Sequence, residues 1–125
     1  MPLGSTMGSK YGNSITKVDG INFDSKKEAN RYTELKMLQA GKVIRNLNLQ
    51  PVFEILPAFT DYTGKRHRCI CYVADFEYFD NERKVHVVED VKGVRTEVYK
   101  IKLKMFLHKY LSEKKQKHKM IFVEI

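Results

Sequence analysis

Two runs of β-branched and aromatic residues flank the polar tetrapeptide Asp80-Asn81-Glu82-Arg83. Arg68 to Phe79 on one side and Lys84 to Lys92 on the other have the composition of paired strands, and the tetrapeptide has that of a hairpin turn. Such a hairpin puts a sheet at the centre of the fold. It also sets acids among core-forming residues: Asp75, Glu89 and Asp90. Side chains alternate faces along a strand. On the second strand Val85, Val87 and Val91 share the core face, with Glu89 as its misfit, and His86, Val88, Asp90 and Lys92 share the other. On the first, Ile70, Tyr72, Ala74, Phe76 and Tyr78 form the apolar face, and Asp75 and Glu77 point away. With Asn81-Glu82 as a two-residue loop, Asp80 opposes Arg83 and Asp75 opposes Val88. Asp90 is then a diagonal neighbour of Asp75, about 7 Å away by Cα.

Like charges so close are destabilising unless something neutralises them. Asp75 and Asp90, with Lys92 beside them, suit a divalent cation held by oxygen ligands, and the Val91 carbonyl is a further hard oxygen. An odd-length loop or a bulge would bring Glu89 round in place of Asp90. Asp90 is preferred, because turning Glu89 to that face would send Asp90 and Lys92 among the valines. Mg²⁺ or Mn²⁺ in such a site binds a phosphate oxygen and lowers the pKa of a bound water. Lys92 then orients the attacking hydroxide or neutralises the pentavalent phosphate.

Upstream, Ser25-Lys26-Lys27-Glu28 fits a capping box, and Ala29, Tyr32, Leu35 and Leu38 follow at helical spacing until Gly41. A helix is expected from Ser25 to Ala40. Glu28 has two readings, the third residue of the box and an inward acid that completes the metal site, and the two are compatible. Val18 to Ile21 and Thr63 to Lys65 read as turns. Val52 to Leu56 reads as a strand after Pro51. Gln50 either supports the site or bonds backbone. Thr96 to Leu111 carries both a strand and a helix pattern; its length favours a helix, with Thr96 as N-cap. Ser112 to Lys119 reads as a basic loop and Met120 to Ile125 as a last strand. The expected fold class is α/β, a mixed sheet flanked by helices in the order α, β, β, β, α, β. The opening MPLGSTMGS has the look of an expression-tag remnant, which leaves residues 10–125 as a single domain.

Charge points to the partner. The chain has 23 Lys and Arg against 15 Asp and Glu, a net of +8. From Arg95 to Lys119 nine basic residues meet only Glu97 and Glu113, a local net of +7. A basic segment beside an acidic cluster suits a metal-dependent enzyme acting on phosphodiesters. Lys100, Lys104 and His108 form a helical stripe with Lys109 nearby, and Arg95 precedes it; these residues are placed to meet phosphates. His67 and His86 read as surface or structural residues, with His86 a second candidate to support the site. Cys69 and Cys71 are too close in sequence to bridge and lack a partner pair for zinc, which favours a reducing compartment. No apolar run approaches the ~20 residues of a membrane span, and no secretory signal opens the chain.

The order of helix Glu28, strand Asp75, hairpin, Asp90-Val91-Lys92 and basic helix resembles the PD-(D/E)XK nuclease superfamily. More closely, the chain resembles its small phage and prophage proteins that look like Holliday-junction resolvases. The phrases that carry the resemblance are Lys10-Tyr11-Gly12-Asn13, Phe23 to Ala29, Leu49-Gln50-Pro51, Tyr72 to Phe76, Val88 to Gly93 and Thr96 to Tyr99. Ala74 stands where the superfamily's name expects Pro. The resemblance implies a restriction-endonuclease-like core of about four strands. It implies a catalytic set of Asp75, Asp90, Lys92 and Glu28, with Mg²⁺ or Mn²⁺ as cofactor. The leading expectation is cleavage of branched DNA in the cytoplasm of a bacterial host, by a homodimer because two-fold pairing is the commonest assembly; a general or nicking DNA nuclease without junction preference and a catalytically silent DNA-binding module are the alternatives.

Overall fold

A computed structural model describes residues 15–112 and 119–125. Lys10 to Asn13 and most of the expected basic loop after Ser112 lie outside the described residues. The first element is a small antiparallel hairpin, β1 (Thr16–Val18) and β2 (Ile21–Phe23). Asp19 and Gly20 turn it in the left-handed region, at φ 53° and 77°. Helix α1 (Lys26–Ala40) follows, and Ser25 caps it by accepting the Glu28 N–H at 3.1 Å. Next come β3 (Ile44–Leu49), β4 (Val52–Leu56), the short pair β5 (Phe59–Thr60) and β6 (Arg66–His67), and β7 (Ile70–Val73). The hairpin strands are β8 (Phe76–Asp80) and β9 (Val85–Asp90). Helix α2 (Glu97–Leu111), capped by Thr96, and β10 (Met120–Glu124) complete the order.

The central sheet has four strands in the order β10-β9-β8-β3. β10 runs parallel to β9, and the other neighbours are antiparallel, so the sheet is mixed as expected. β4 and β7 form a separate antiparallel pair. The helices cover opposite faces. Ala29, Tyr32 and Leu35 of α1 pack with Phe76, Tyr78, Val85, Val87 and Val91. Leu103 and Phe106 of α2 pack with Ile55, Tyr72, Ala74 and Val88. Strand β9 is therefore buried on both sides, which accounts for its nearly unbroken valine content.

Three expectations are corrected. The hairpin loop spans Asn81 to Lys84, with Asp80 opposite Val85 and Phe76 opposite Glu89. The expected register is off by two residues, an even number, so the side chains of β8 and β9 keep their alternation relative to each other. Asp75 is brought level with Asp90 instead of diagonal to it. Second, Arg68–Phe79 is not one strand. A bend at Ala74-Asp75 separates β7 from β8. Tyr72 and Ala74 consequently face α2, whereas Phe76 and Tyr78 face α1. Third, the face of Val88 and Asp90 is a second core under α2 and not an open surface. Strands β1, β2 and β3 also lie where only turns or a partial alternation were expected. In β3 the pattern is interrupted by a bulge between Arg45 and Asn48, where Asn46 sits at φ 58°.

Candidate metal and phosphodiester site

The bend that splits the long strand also builds the site. Asp75 leaves the ladder, its N–H donating to the Glu89 carbonyl at 3.1 Å and its carbonyl accepting the Gln50 N–H at 2.9 Å. Its Oδ2 accepts the Val91 N–H at 2.7 Å. One residue thus ties the start of β8 to the end of β9 and to the β3–β4 turn. Gln50 makes that turn at φ 52°, a left-handed conformation that costs a side-chain-bearing residue about 1–2 kcal/mol. Glu28, Gln50 and Asp75 share a cleft of about 230 Å³ with Ile21, Asn22, Phe23 and Leu49.

Asp90 has no solvent exposure. Its Oδ2 accepts a very short hydrogen bond from the Tyr72 hydroxyl. Its Oδ1 is buried without a hydrogen-bond partner, alone in this among the described residues. Lys92 Nζ lies 3.5 Å from that oxygen, an ion pair without hydrogen-bond geometry, and sits 4.8 Å from the centre of the Tyr99 ring. Burial pushes the Asp90 carboxyl up to about 7; the Tyr72 hydroxyl opposes the shift, the adjoining Asp75 carboxyl adds to it and Lys92 lowers it. Glu28, 8% exposed, is likewise raised to about 7, by burial first and then by Asp75 and Asp24. Burial and the Asp90 charge hold the Tyr72 phenol well above its ordinary value, so it stays a donor.

Glu89 is built differently. It too has no solvent exposure, but it lies on the α1 face. Arg31 grips it with Nε at 2.8 Å from Oε1 and Nη2 at 2.5 Å from Oε2, and the Tyr78 hydroxyl donates to Oε2. The alternative in which Glu89 replaces Asp90 as ligand is thus corrected: both Glu89 oxygens are already taken, away from Asp75. His86 is corrected as well. It lies four residues back from Asp90 along β9, about 13 Å at strand rise, and bonds Glu77 Oε2 at 3.0 Å.

The basic candidates divide. Arg95 pairs with Glu124 Oε1 at 3.3 Å, and Lys100 with Glu97 Oε2 at 3.0 Å, both at the site end of α2. Lys104, His108 and Lys109 line a larger groove of about 780 Å³, floored by Ile55, Pro57 and Met105. Sequence reasoning missed Arg31, Tyr72, Tyr99 and Glu124. The Tyr99 hydroxyl donates to Glu124 Oε2 at 2.6 Å, and Glu124 is the β10 partner of Asp90. The signal for Arg31 was present: a lone acid among valines asks for a cation across the core.

The residues fit a divalent cation in one specific way. No group of three His, Cys, Asp or Glu side chains among the described residues is gathered closely enough to cage an ion. Two carboxylates do meet, one with an unpaired buried oxygen. That is the donor set of Mg²⁺, which keeps several waters and takes one or two carboxylates plus substrate phosphates. No helix among the described residues is long and apolar enough to cross a membrane.

The molecule is thus a mixed α+β domain in which two acids and a lysine meet beside the N-terminal turn of a basic helix. Residues 8–121 match the family model of a protein of unknown function, DUF1064, and the chain belongs to that family. No curated protein and no solved structure matches it.

Proposed function

We propose that the chain is a divalent-metal-dependent DNA endonuclease that hydrolyses phosphodiester bonds in branched DNA. The observation that carries this reading is the buried, unpaired Asp90 Oδ1 beside Asp75, with Lys92 Nζ 3.5 Å away. Asp75, Asp90 and the Val91 carbonyl would hold Mg²⁺ or Mn²⁺, with Glu28 lining the cleft that Asp75 borders. Such a cation supplies Lewis-acid chemistry, acidifying water and offsetting phosphate charge. Tyr72 fixes the Asp90 carboxylate by its hydroxyl. Lys92 supplies a positive charge for the attacking hydroxide or the developing phosphorane. Lys100, Lys104, His108 and Lys109 draw in the phosphate backbone. The resemblance to PD-(D/E)XK resolvases supports the junction preference and a two-fold dimer, which would present one site to each strand. It also supports action in a bacterial cytoplasm.

Cleavage of a labelled four-way junction, a flap and a linear duplex, each in Mg²⁺ and in EDTA, tests the reading. Cutting of the junction in Mg²⁺ alone is expected, with Asp75→Ala and Lys92→Ala abolishing cleavage while DNA binding survives. Unchanged cutting by either variant would remove the mechanism. A second reading, a DNA-binding module that does not cut, draws on the lack of a three-residue ligand group among the described residues. A junction bound but uncut in both Mg²⁺ and Mn²⁺ would establish it.

A further inference from the structure

The arm formed by β5, β6 and the turn between them does not belong to either core. Thr60 and Tyr62 to Arg66 are exposed, as is Arg68 just beyond it, and Tyr62 at the tip is 100% exposed. The arm is nevertheless rigidly built. Asp61 Oδ1 accepts the Thr63 N–H at 2.8 Å, the Thr63 hydroxyl at 2.5 Å and the Lys65 N–H at 3.1 Å. Asp61 Oδ2 meets His67 Nε2 at 2.7 Å. His67 in turn stacks on Phe59, with ring centres 4.7 Å apart and planes at 15°. The turn itself uses Gly64 at φ 87°. This internal bracing uses the arm's only acid; Lys65, Arg66 and Arg68 are exposed, Arg66 donating to the Thr60 hydroxyl at 3.4 Å, and so is the Tyr62 ring. At the root of the arm, Pro57 lines the groove of Lys104, His108 and Lys109, so the cationic surface runs from α2 towards the arm.

We propose that this arm is a nucleic-acid probe: Tyr62 stacks on an unpaired DNA base while Lys65, Arg66 and Arg68 hold the phosphates beside it. Aromatic rings stack on any base because every base has a π face, and cations next to the ring follow the backbone. A pre-braced turn loses little conformational freedom when it binds. From Val52, next to the Gln50 turn, to Tyr62 is ten residues, at most ~33 Å of strand. That reach is about one turn of duplex DNA. The arm would therefore detect an unpaired base within about one duplex turn of the Gln50 turn. The inference rests on the proposal that DNA is the substrate, and it narrows that substrate to DNA with unstacked bases.

The test is equilibrium binding in EDTA, where no cleavage occurs. The full chain is titrated against a fluorescent duplex and against the same duplex carrying one bulged 2-aminopurine. The expected result is tighter binding of the bulged DNA with a change in 2-aminopurine emission. Tyr62→Ala should lose that preference by roughly 5- to 150-fold, and Tyr62→Phe should keep it. Circular dichroism should be the same for all three proteins, since Tyr62 touches no core. Equal affinity for both duplexes, or a preference retained by Tyr62→Ala, would overturn the arm's role and leave the Asp75 site standing. Failure to bind either duplex would overturn the arm and the nuclease reading together. Tighter binding of a bulged RNA of the same sequence would also overturn it and assign the arm to RNA.

Discussion

Glu89 and Asp90 are consecutive, carry the same side-chain group and have no solvent exposure, yet they sit in opposite environments. Glu89 is saturated: a two-pronged Arg31 and the Tyr78 hydroxyl occupy its oxygens. Asp90 has one hydroxyl, a distant ammonium and a second carboxylate for neighbours, and keeps an oxygen without a hydrogen bond. A buried charge with complete partners is a structural group. A buried charge left incomplete beside another acid calls for an explanation, and the one proposed above is a bound cation. The strand's alternation assigns the two roles, one per face.

The saturated acid carries the larger expected effect. Arg31→Ala leaves Glu89 buried and unpaired, and urea unfolding should show a loss of about 3–5 kcal/mol. A loss under about 1 kcal/mol, the range of an exposed pair, would mean that Glu89 is not held by Arg31. Asp90→Asn removes a buried charge whose hydrogen bonding is incomplete. Its unfolding free energy should stay level or rise by about 0.5–2 kcal/mol while cleavage disappears, the exchange of stability for activity seen at functional sites. A large destabilisation would place Asp90 with Glu89 as a structural acid.

The titration of Asp90 offers a further test of its environment. The folded carboxyls of Glu28 and Asp90 are raised to about 7, above their unfolded values near 4. In chelator, the folded state then binds more protons than the unfolded state between about pH 4 and pH 7. The stabilisation from these groups is complete below about pH 4 and is lost as pH rises through 7. The metal-free chain should therefore melt at a lower temperature at pH 8 than at pH 5, and Asp90→Asn should flatten that dependence. An identical pH profile in the variant would contradict the raised Asp90 value. The smallest effect belongs to the helix surface. Replacing Lys104 and Lys109 by Ala should weaken DNA binding and reduce the slope of log affinity against log salt by about 1 for each phosphate that is no longer neutralised. An unchanged slope would make that face a solvated surface.

Much of this was legible in the residues. The first helix announces itself by its Ser25 cap and periodic apolar face, the second is favoured over a strand by its length, and the valines of β9 show by their run. The grouping of Asp75 with Asp90 survived a register error because the error was even. What stayed hidden depends on contacts distant in sequence. The bend at Ala74-Asp75 leaves no mark in an apolar alternation that continues through it. Strand β3 is half-exposed and bulged at Asn46, so its period is broken. Arg31 looks like one more helix cation until α1 is laid over β9. Glu28 shows only its cap contact locally, and its raised pKa arises first from burial and then from Asp75 and Asp24 across space.

Asp75 and Asp90 are proposed to share a divalent cation. Mn²⁺ titration of the wild-type chain and of Asp90→Asn, followed by thermal unfolding, tests it most directly. Saturable stabilisation of the wild type is predicted, about 2.7 kcal/mol at a hundred times the dissociation constant, with none in the variant. Equal responses in the two proteins, or no response in either, would contradict the claim.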